Sequence, residues 1–398
     1  MPHAPPLGAL LRRYAAGSAL ACDPVDQGLL NRGYRLRTTR GRYFLKHHFD
    51  PETAAPEAIA RQHRATQRLA ALGVPVAPPL PAHDGRTVAV VGGHAYALHP
   101  WIEGRHRHGA QLTGAQCGRL GALLGVVHAS LERVMPLQGQ EGTEKSARAV
   151  GGVRTDAGAP DTAPHPPGGR TAVLGPAAAR TGGTRADRPR AGHPAERNAR
   201  TADPDAGSVD AGADPTTTFA LIDDLLARVR RHRPADSFDE LARHRLLERR
   251  ALLEQHAGRR PPHSGPVGWV HGDFHPFNLL YRGDAPAAIV DWDRLGVKPR
   301  AEEAVRAAAI FFVRPAGTLD LPKVRAYARA YRRTAGATPS ELAAAVHRVW
   351  WERLNDFWML RWHYERGDTR ADPQFPAASA LVVWWTREYD AVCDAFAG

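Results

Sequence analysis

Apolar positions in the first part of the chain come in short runs of two kinds. "YRLRTTRGRYFLKHH" (34–48) alternates apolar and polar residues on either side of Arg40-Gly41, which predicts two strands around a turn. "PEAIARQHRATQRLAALG" (56–73) spaces its apolar residues at helical intervals, with Pro at its start and Gly at its end, and predicts a helix. "TVAVVGGHAYALHPWIEG" (87–104) predicts a second hairpin turning at Gly92-Gly93. "LTGAQCGRLGALLGVVHASL" then predicts a helix with Thr113 as its N-cap.

The pattern then stops. Residues 137–217 are rich in Ala, Gly, Pro, Thr, Arg and Asp, and residues 137–217 contain no aromatic residue until Phe219. Such a segment buries too little apolar surface to offset chain ordering, about 1–2 kcal/mol per residue, and reads as a disordered insertion. Helical periodicity resumes in "FALIDDLLARVRRH", "DELARHRLLERRALLEQH", "VRAYARAYRRTAG" and "PSELAAAVHRVWWERLNDFWMLRWHYERG". Set into this zone, "VGWV", "NLLY" and "AAIVDW" read as short strands, the last two joined through Arg282-Gly283-Asp284. The expected class is α+β, with a small β-rich lobe and hinge (1–101), the start of a second lobe (102–136), the insertion (137–217) and the rest of a larger, mostly helical lobe (218–398). A cleft between two such lobes is a natural ligand site.

Composition narrows the function classes. The formal charge is +12, but the basic residues are almost all arginine; lysine occurs only at Lys46, Lys145, Lys298 and Lys323. Without basic runs interleaved with aromatics, this skew reads as composition bias, and no nucleic-acid partner is expected. No long uninterrupted apolar run is present, so no membrane span is expected. Arg12 and Arg13 interrupt the only apolar N-terminal stretch, which argues against a signal peptide. Cys22, Cys117 and Cys393 are widely spaced and suggest neither a disulfide framework nor a zinc site. The expected location is the cytoplasm.

The densest chemistry lies in "WVHGDFHPFNLLYRGDAPAAIVDWD" (269–293). Asp273 and Asn278 have the D-x-x-x-x-N spacing of kinase catalytic loops, and Asp291 ends an apolar run after a hairpin. Phosphoryl transfer needs hard oxygen ligands for Mg²⁺ and a base within reach of an alcohol. It also needs a cation from the small lobe, and Lys46 ends "YFLK" in an arginine-rich chain. A transition-metal hydrolase could use His271, Asp273, His275, Asp291 and Asp293, but that reading leaves Lys46, Asn278 and the β-rich lobe unexplained.

These elements resemble the aminoglycoside phosphotransferase and choline kinase family, a branch of the protein-kinase-like fold that includes homoserine kinases of that type. "HGDFHPFNLL" resembles the family's H-G-D-x-H-x-x-N signature, and "IVDWD" its metal motif. "GLLNRGYRLRTTRGRYFLK" resembles its first three strands, "LGVPVAPPL" and "YALHPWIEG" its linker and hinge, and "LGALLGVVHAS" a helix ending in histidine. The resemblance implies a two-lobe kinase-like fold and ATP-dependent transfer, with GTP as an alternative donor, to a hydroxyl of a small molecule. It implies Asp273 as catalytic base, Asn278 and Asp291 as Mg²⁺ ligands, and Lys46 on the phosphates. Gly28 and Asn31 would lie in the nucleotide-covering loop, and Pro100 and Ile102 would flank the adenine-contacting backbone. His271 is expected to hold the catalytic loop in shape. Asp293 would touch either the metal or only local backbone.

One departure stands out. The family pairs the lysine with a helical glutamate, and that place falls near Gln62, with Glu57 more than a turn earlier. A nucleotide-binding pseudokinase is therefore the alternative. The acceptor is open among an aminoglycoside-like antibiotic, an amino alcohol, a homoserine-like metabolite and a natural product. Trp351, Leu354, Trp358 and Trp362 are expected on one helical face, as a core stripe or as an aromatic wall for the acceptor, with Glu352 and Asp356 nearby for an amine.

Overall fold

A five-stranded antiparallel sheet of order β1-β2-β3-β5-β4 forms the N-terminal lobe in the computed structural model, which describes residues 4–25, 31–49, 55–137, 212–262 and 265–398. Its strands are β1 (Ala19–Val25), β2 (Arg32–Thr38), β3 (Gly41–His48), β4 (Ala89–Val91) and β5 (His94–Pro100). Both expected hairpins form, with Thr38 opposite Gly41 and Val91 opposite His94. A helix not foreseen from the sequence, α1 (Leu7–Arg13), closes one side of this sheet. Leu10, Leu11, Leu36, Leu45 and Leu98 fill the space between them and are almost wholly buried. Each such leucine contributes about 2–5 kcal/mol against alanine. Helix α2 (Pro56–Ala71) follows, starting on Pro56 as expected.

The C-terminal lobe is built on α3 (Gly114–Val134), α4 (Pro215–Arg231), α5 (Ser237–His256), α6 (Arg300–Phe311), α7 (Leu321–Ala335) and α8 (Pro339–Asn355). Thr113 caps α3 in a capping box with Gln116, as its position predicts. Helices α3 and α7 approach too closely for side chains between them. A Cβ on Gly121 would lie 2.1 Å from the Tyr327 carbonyl oxygen, and one on Gly125 would lie 2.0 Å from Thr334 Oγ1. No described helix is long and apolar enough to cross a membrane.

Two expectations change. The insertion falls mostly outside the described residues, but its last positions do not: Pro215 starts α4, capped by Asp214. The expected stripe of Trp351, Leu354, Trp358 and Trp362 does not share one helix. Helix α8 stops at Asn355, Asp356 is extended (φ −101°, ψ 128°), and a new helix, α9 (Trp358–Arg361), runs into a π-helical turn at Trp362–Arg366. The Asp356 carboxylate accepts the Trp358 N–H, which favours a fresh start over continuation. Trp351 and Leu354 are core residues; Trp358 and Trp362 pack edge-to-face on each other.

Two small sheets complete the lobe. β6 (Val267–Val270) pairs with β9 (Gly296–Pro299), and β7 (Leu279–Arg282) pairs with β8 (Ala285–Ile289). The chain runs β6, loop, β7, β8, loop, β9, so this pairing lays the two loops side by side. The linkers from the first lobe are stitched to the same hairpin: Ile289 donates to the Pro75 carbonyl at 2.8 Å, and Arg105 and Tyr281 exchange two bonds of 2.9 Å.

Candidate active site

The loops at 271–278 and 290–295 are crosslinked by one buried histidine. His271 Nε2 donates to the Val290 carbonyl at 3.0 Å, and its Nδ1 accepts the Asp273 N–H at 3.2 Å. Both bonds together require the neutral Nε2–H tautomer, and burial holds the His271 pKa below its usual value. The role expected for His271, holding the loop in shape, agrees with this geometry. A second crosslink runs from the Val290 N–H to the Asn278 carbonyl at 2.9 Å.

Beneath the loop lies Glu303, in the first turn of α6, which accepts from the backbone of His271 and Gly272 and from His128 Nε2 at 2.7 Å. His128 also meets the Tyr331 hydroxyl at 3.0 Å. Burial disfavours the Glu303 charge, but its donors outweigh burial and lower its pKa. Sequence reasoning passed over Glu303. The signal was there: Glu302 and Glu303 open an otherwise apolar helix in "RAEEAVRAAAIF". Gly272 has φ +85°, and a Cβ there would lie 2.0 Å from the Arg294 carbonyl oxygen, so only glycine fits between the two loops.

On this frame the expected residues come together. Asn278 Nδ2 donates to the Asp273 carbonyl at 2.9 Å, leaving its Oδ1 as an oxygen donor. The Asp273 carboxylate is 34% exposed and lies 3.5 Å from His275 Nε2. Desolvation opposes its ionisation, but His275 and Arg294 prevail and lower its pKa. Asp291 takes a left-handed backbone (φ +60°), which aspartate tolerates better than most residues.

Lys46 reaches this loop from β3, where it pairs with Ala97 of β5. Its Nζ lies 2.6 Å from Asp291 Oδ1 and 2.7 Å from Asp293 Oδ1. Burial works against the ammonium, but the two carboxylates raise its pKa well above the ordinary lysine value. Desolvation likewise opposes Asp291 ionisation, and Lys46 overrides it, lowering the pKa. Asp293 is raised, by burial first and by Asp291 as well, against the pull of Lys46.

The doubtful partner of the lysine is resolved by this arrangement. Glu57 is exposed on α2, and Gln62 Nε2 donates instead to the Asp293 backbone carbonyl at 2.8 Å. The anion beside Lys46 that a helical glutamate would supply comes from Asp293. Asn31, expected in the nucleotide-covering loop, donates to Asp293 Oδ2 and accepts the Phe49 N–H at 3.2 Å. Gly28 lies outside the described residues. Pro100 and Ile102 lie at and beyond the end of β5; Pro100 pairs with Tyr43, and the intervening Trp101 N–H is taken by the Arg42 carbonyl at 3.2 Å.

The residues present suit a hard cation. Asp291, Asp293 and the Asn278 amide oxygen are oxygen donors, and in this arrangement the Lys46 ammonium stands as the counter-charge between the two carboxylates.

Comparison with known proteins agrees with this picture. Among curated proteins, the homoserine kinase of Bartonella tribocorum is 28% identical over 131 residues, covering 32% of this chain and 38% of that protein. The homoserine kinase of Neisseria meningitidis serogroup B is 30% identical over 145 residues, covering 35% of this chain and 46% of that protein. The chain thus matches less than half the length of these relatives. Solved structures share the fold across nearly the whole chain. A microcompartment-associated aminopropanol kinase superposes with TM-score 0.51 at 15% identity, over 97% of this chain and 98% of its own. An amicoumacin kinase in complex with AMP-PNP, Ca²⁺ and Ami gives 0.50 at 14%, over 98% and 93%. Residues 21–337, which carry the β-rich lobe, both crosslinked loops and the helices beneath them, match the sequence model of the phosphotransferase enzyme family, and the chain belongs to that family.

Proposed function

We propose that this protein is a cytoplasmic small-molecule kinase that moves the terminal phosphoryl group of ATP to a hydroxyl of its acceptor. The observation that carries the reading is the convergence of Lys46, Asp273, Asn278 and Asp291 on one pair of crosslinked loops, in kinase order along the chain. Asn278 and Asp291 would hold Mg²⁺, which when bound would neutralise negative charge on the nucleotide phosphates. Lys46, kept charged by its two carboxylates, would contact the inner phosphates. Asp273 is ionised at neutral pH and is a weak base. It therefore orients the acceptor hydroxyl and takes its proton late, as the new O–P bond forms. Pro100 to Ile102 would present backbone to the adenine, and Gly28 and Asn31 would cover the phosphates.

An acceptor that carries both an amine and a hydroxyl fits the names of the relatives, which include homoserine and aminopropanol kinases. The test is ATP turnover by the purified protein over a panel of amino alcohols, homoserine and aminoglycosides. Mg²⁺-dependent ADP release that needs one of these acceptors supports the reading, and nucleotide binding without transfer to any of them removes it.

A further inference from the structure

Outside the site described above, two histidines and an aspartate meet in the C-terminal lobe. His232 caps the end of α4, Asp239 lies in the first turn of α5, and His363 sits on the π-helical turn after α9. One nitrogen of each histidine and one oxygen of Asp239 lie within 4.8 Å of one another. Among the described residues, no backbone hydrogen bond joins the π-helical turn to the α4–α5 connection.

The surroundings prepare these atoms as ligands. His363 is fixed through Nδ1, 2.8 Å from Asp372 Oδ2, which leaves Nε2 to offer a lone pair. A carboxylate behind a histidine is the usual outer support of a metal-binding imidazole. Phe238 stacks on the His363 ring at 4.3 Å and fixes its plane. The Tyr364 hydroxyl donates to Asp239 Oδ1 at 2.7 Å, and His232 Nδ1 lies 2.9 Å from Asp239 Oδ2. Among the described residues, neither histidine has a hydrogen-bond partner at Nε2. His363 rides on a π turn, a geometry frequent at functional sites.

We propose that His232, Asp239 and His363 bind one divalent transition-metal ion of the zinc class, which staples the α4–α5 connection to the segment after α9. Two imidazoles and one carboxylate favour such an ion over Mg²⁺, whose ligands are oxygens and water. The fourth position is left to water.

The experiment is a Zn²⁺ titration of EDTA-dialysed protein purified without a polyhistidine tag, in the presence of excess Mg²⁺. One equivalent should bind and raise the melting temperature. His232→Gln changes a side chain that is 38% exposed, so its metal-free melting should match the parent while Zn²⁺ affinity falls about tenfold or more. His363→Gln should lose the site as well, and its metal-free melting shows whether the Phe238 stack survives. If no first equivalent binds, or if His232→Gln binds it with parental affinity, the proposal is overturned. Retained binding would place the ion on other histidines of the chain.

Discussion

The Lys46 ammonium lies 2.7 Å from Asp293, a carboxylate only 11% exposed, while the glutamine at the expected pairing position faces the Asp293 backbone instead. The lysine is therefore anchored from the loop beneath it rather than from α2. Gln62→Glu, which restores the family's usual residue, should not help: it sets a buried carboxylate against a carbonyl oxygen that Gln62 now satisfies. The expected loss is about 1–3 kcal/mol of stability by denaturant melts. A gain in stability or nucleotide affinity would show that Lys46 prefers the helix.

Asp273→Asn should leave melting and nucleotide affinity near parental values, because the backbone of Asp273 and not its carboxylate holds Asn278. Transfer to a verified acceptor should fall by about 10²–10⁴-fold. Turnover within a few-fold of the parent would remove Asp273 from the proton transfer.

Asp291→Ala should abolish the difference between nucleotide affinities measured with and without Mg²⁺. Alanine at a left-handed φ also costs about 1–2 kcal/mol, so melting should drop modestly. Calorimetry showing a full Mg²⁺ effect in the variant would move the metal elsewhere.

Acid should destabilise the N-terminal lobe through its buried histidines. Burial lowers His63 to about 3 and His99 to about 4, and their rings meet at 5.6 Å. Unfolded histidines bind protons below about 6.5 while these folded ones do not, so their contribution is intact above that pH and is lost as pH falls towards 4. At pH 5 the loss should be about 2 kcal/mol for each histidine. Denaturation from pH 7 to 5 checks this, and His63→Gln should flatten the slope.

Much of the candidate site was legible because its chemistry is compressed into few residues. The spacing of Asp273, Asn278 and Asp291 and the rarity of lysine around Lys46 are one-dimensional signals. Glu303, His128 and Tyr331 are far apart in sequence, and only packing of α3, α6 and α7 makes them one network. Asp293 could not be assigned because its partner arrives from another lobe. Periodicity also misled where a single side chain outweighed it: Asp356 ends α8 inside a run of helix-forming residues.

The amides of the 271–278 loop are tied unlike those of an ordinary surface loop. His271 and Gly272 give their N–H groups to a buried carboxylate, Asp273 to a buried imidazole, and Val290 to the facing loop. Loops usually open on their own at little free-energy cost, but breaking these bonds means exposing Glu303 and its helix. Measured in time rather than distance, the Asp273 amide should therefore exchange its hydrogen on the slow timescale of the core beneath it rather than on that of a surface loop.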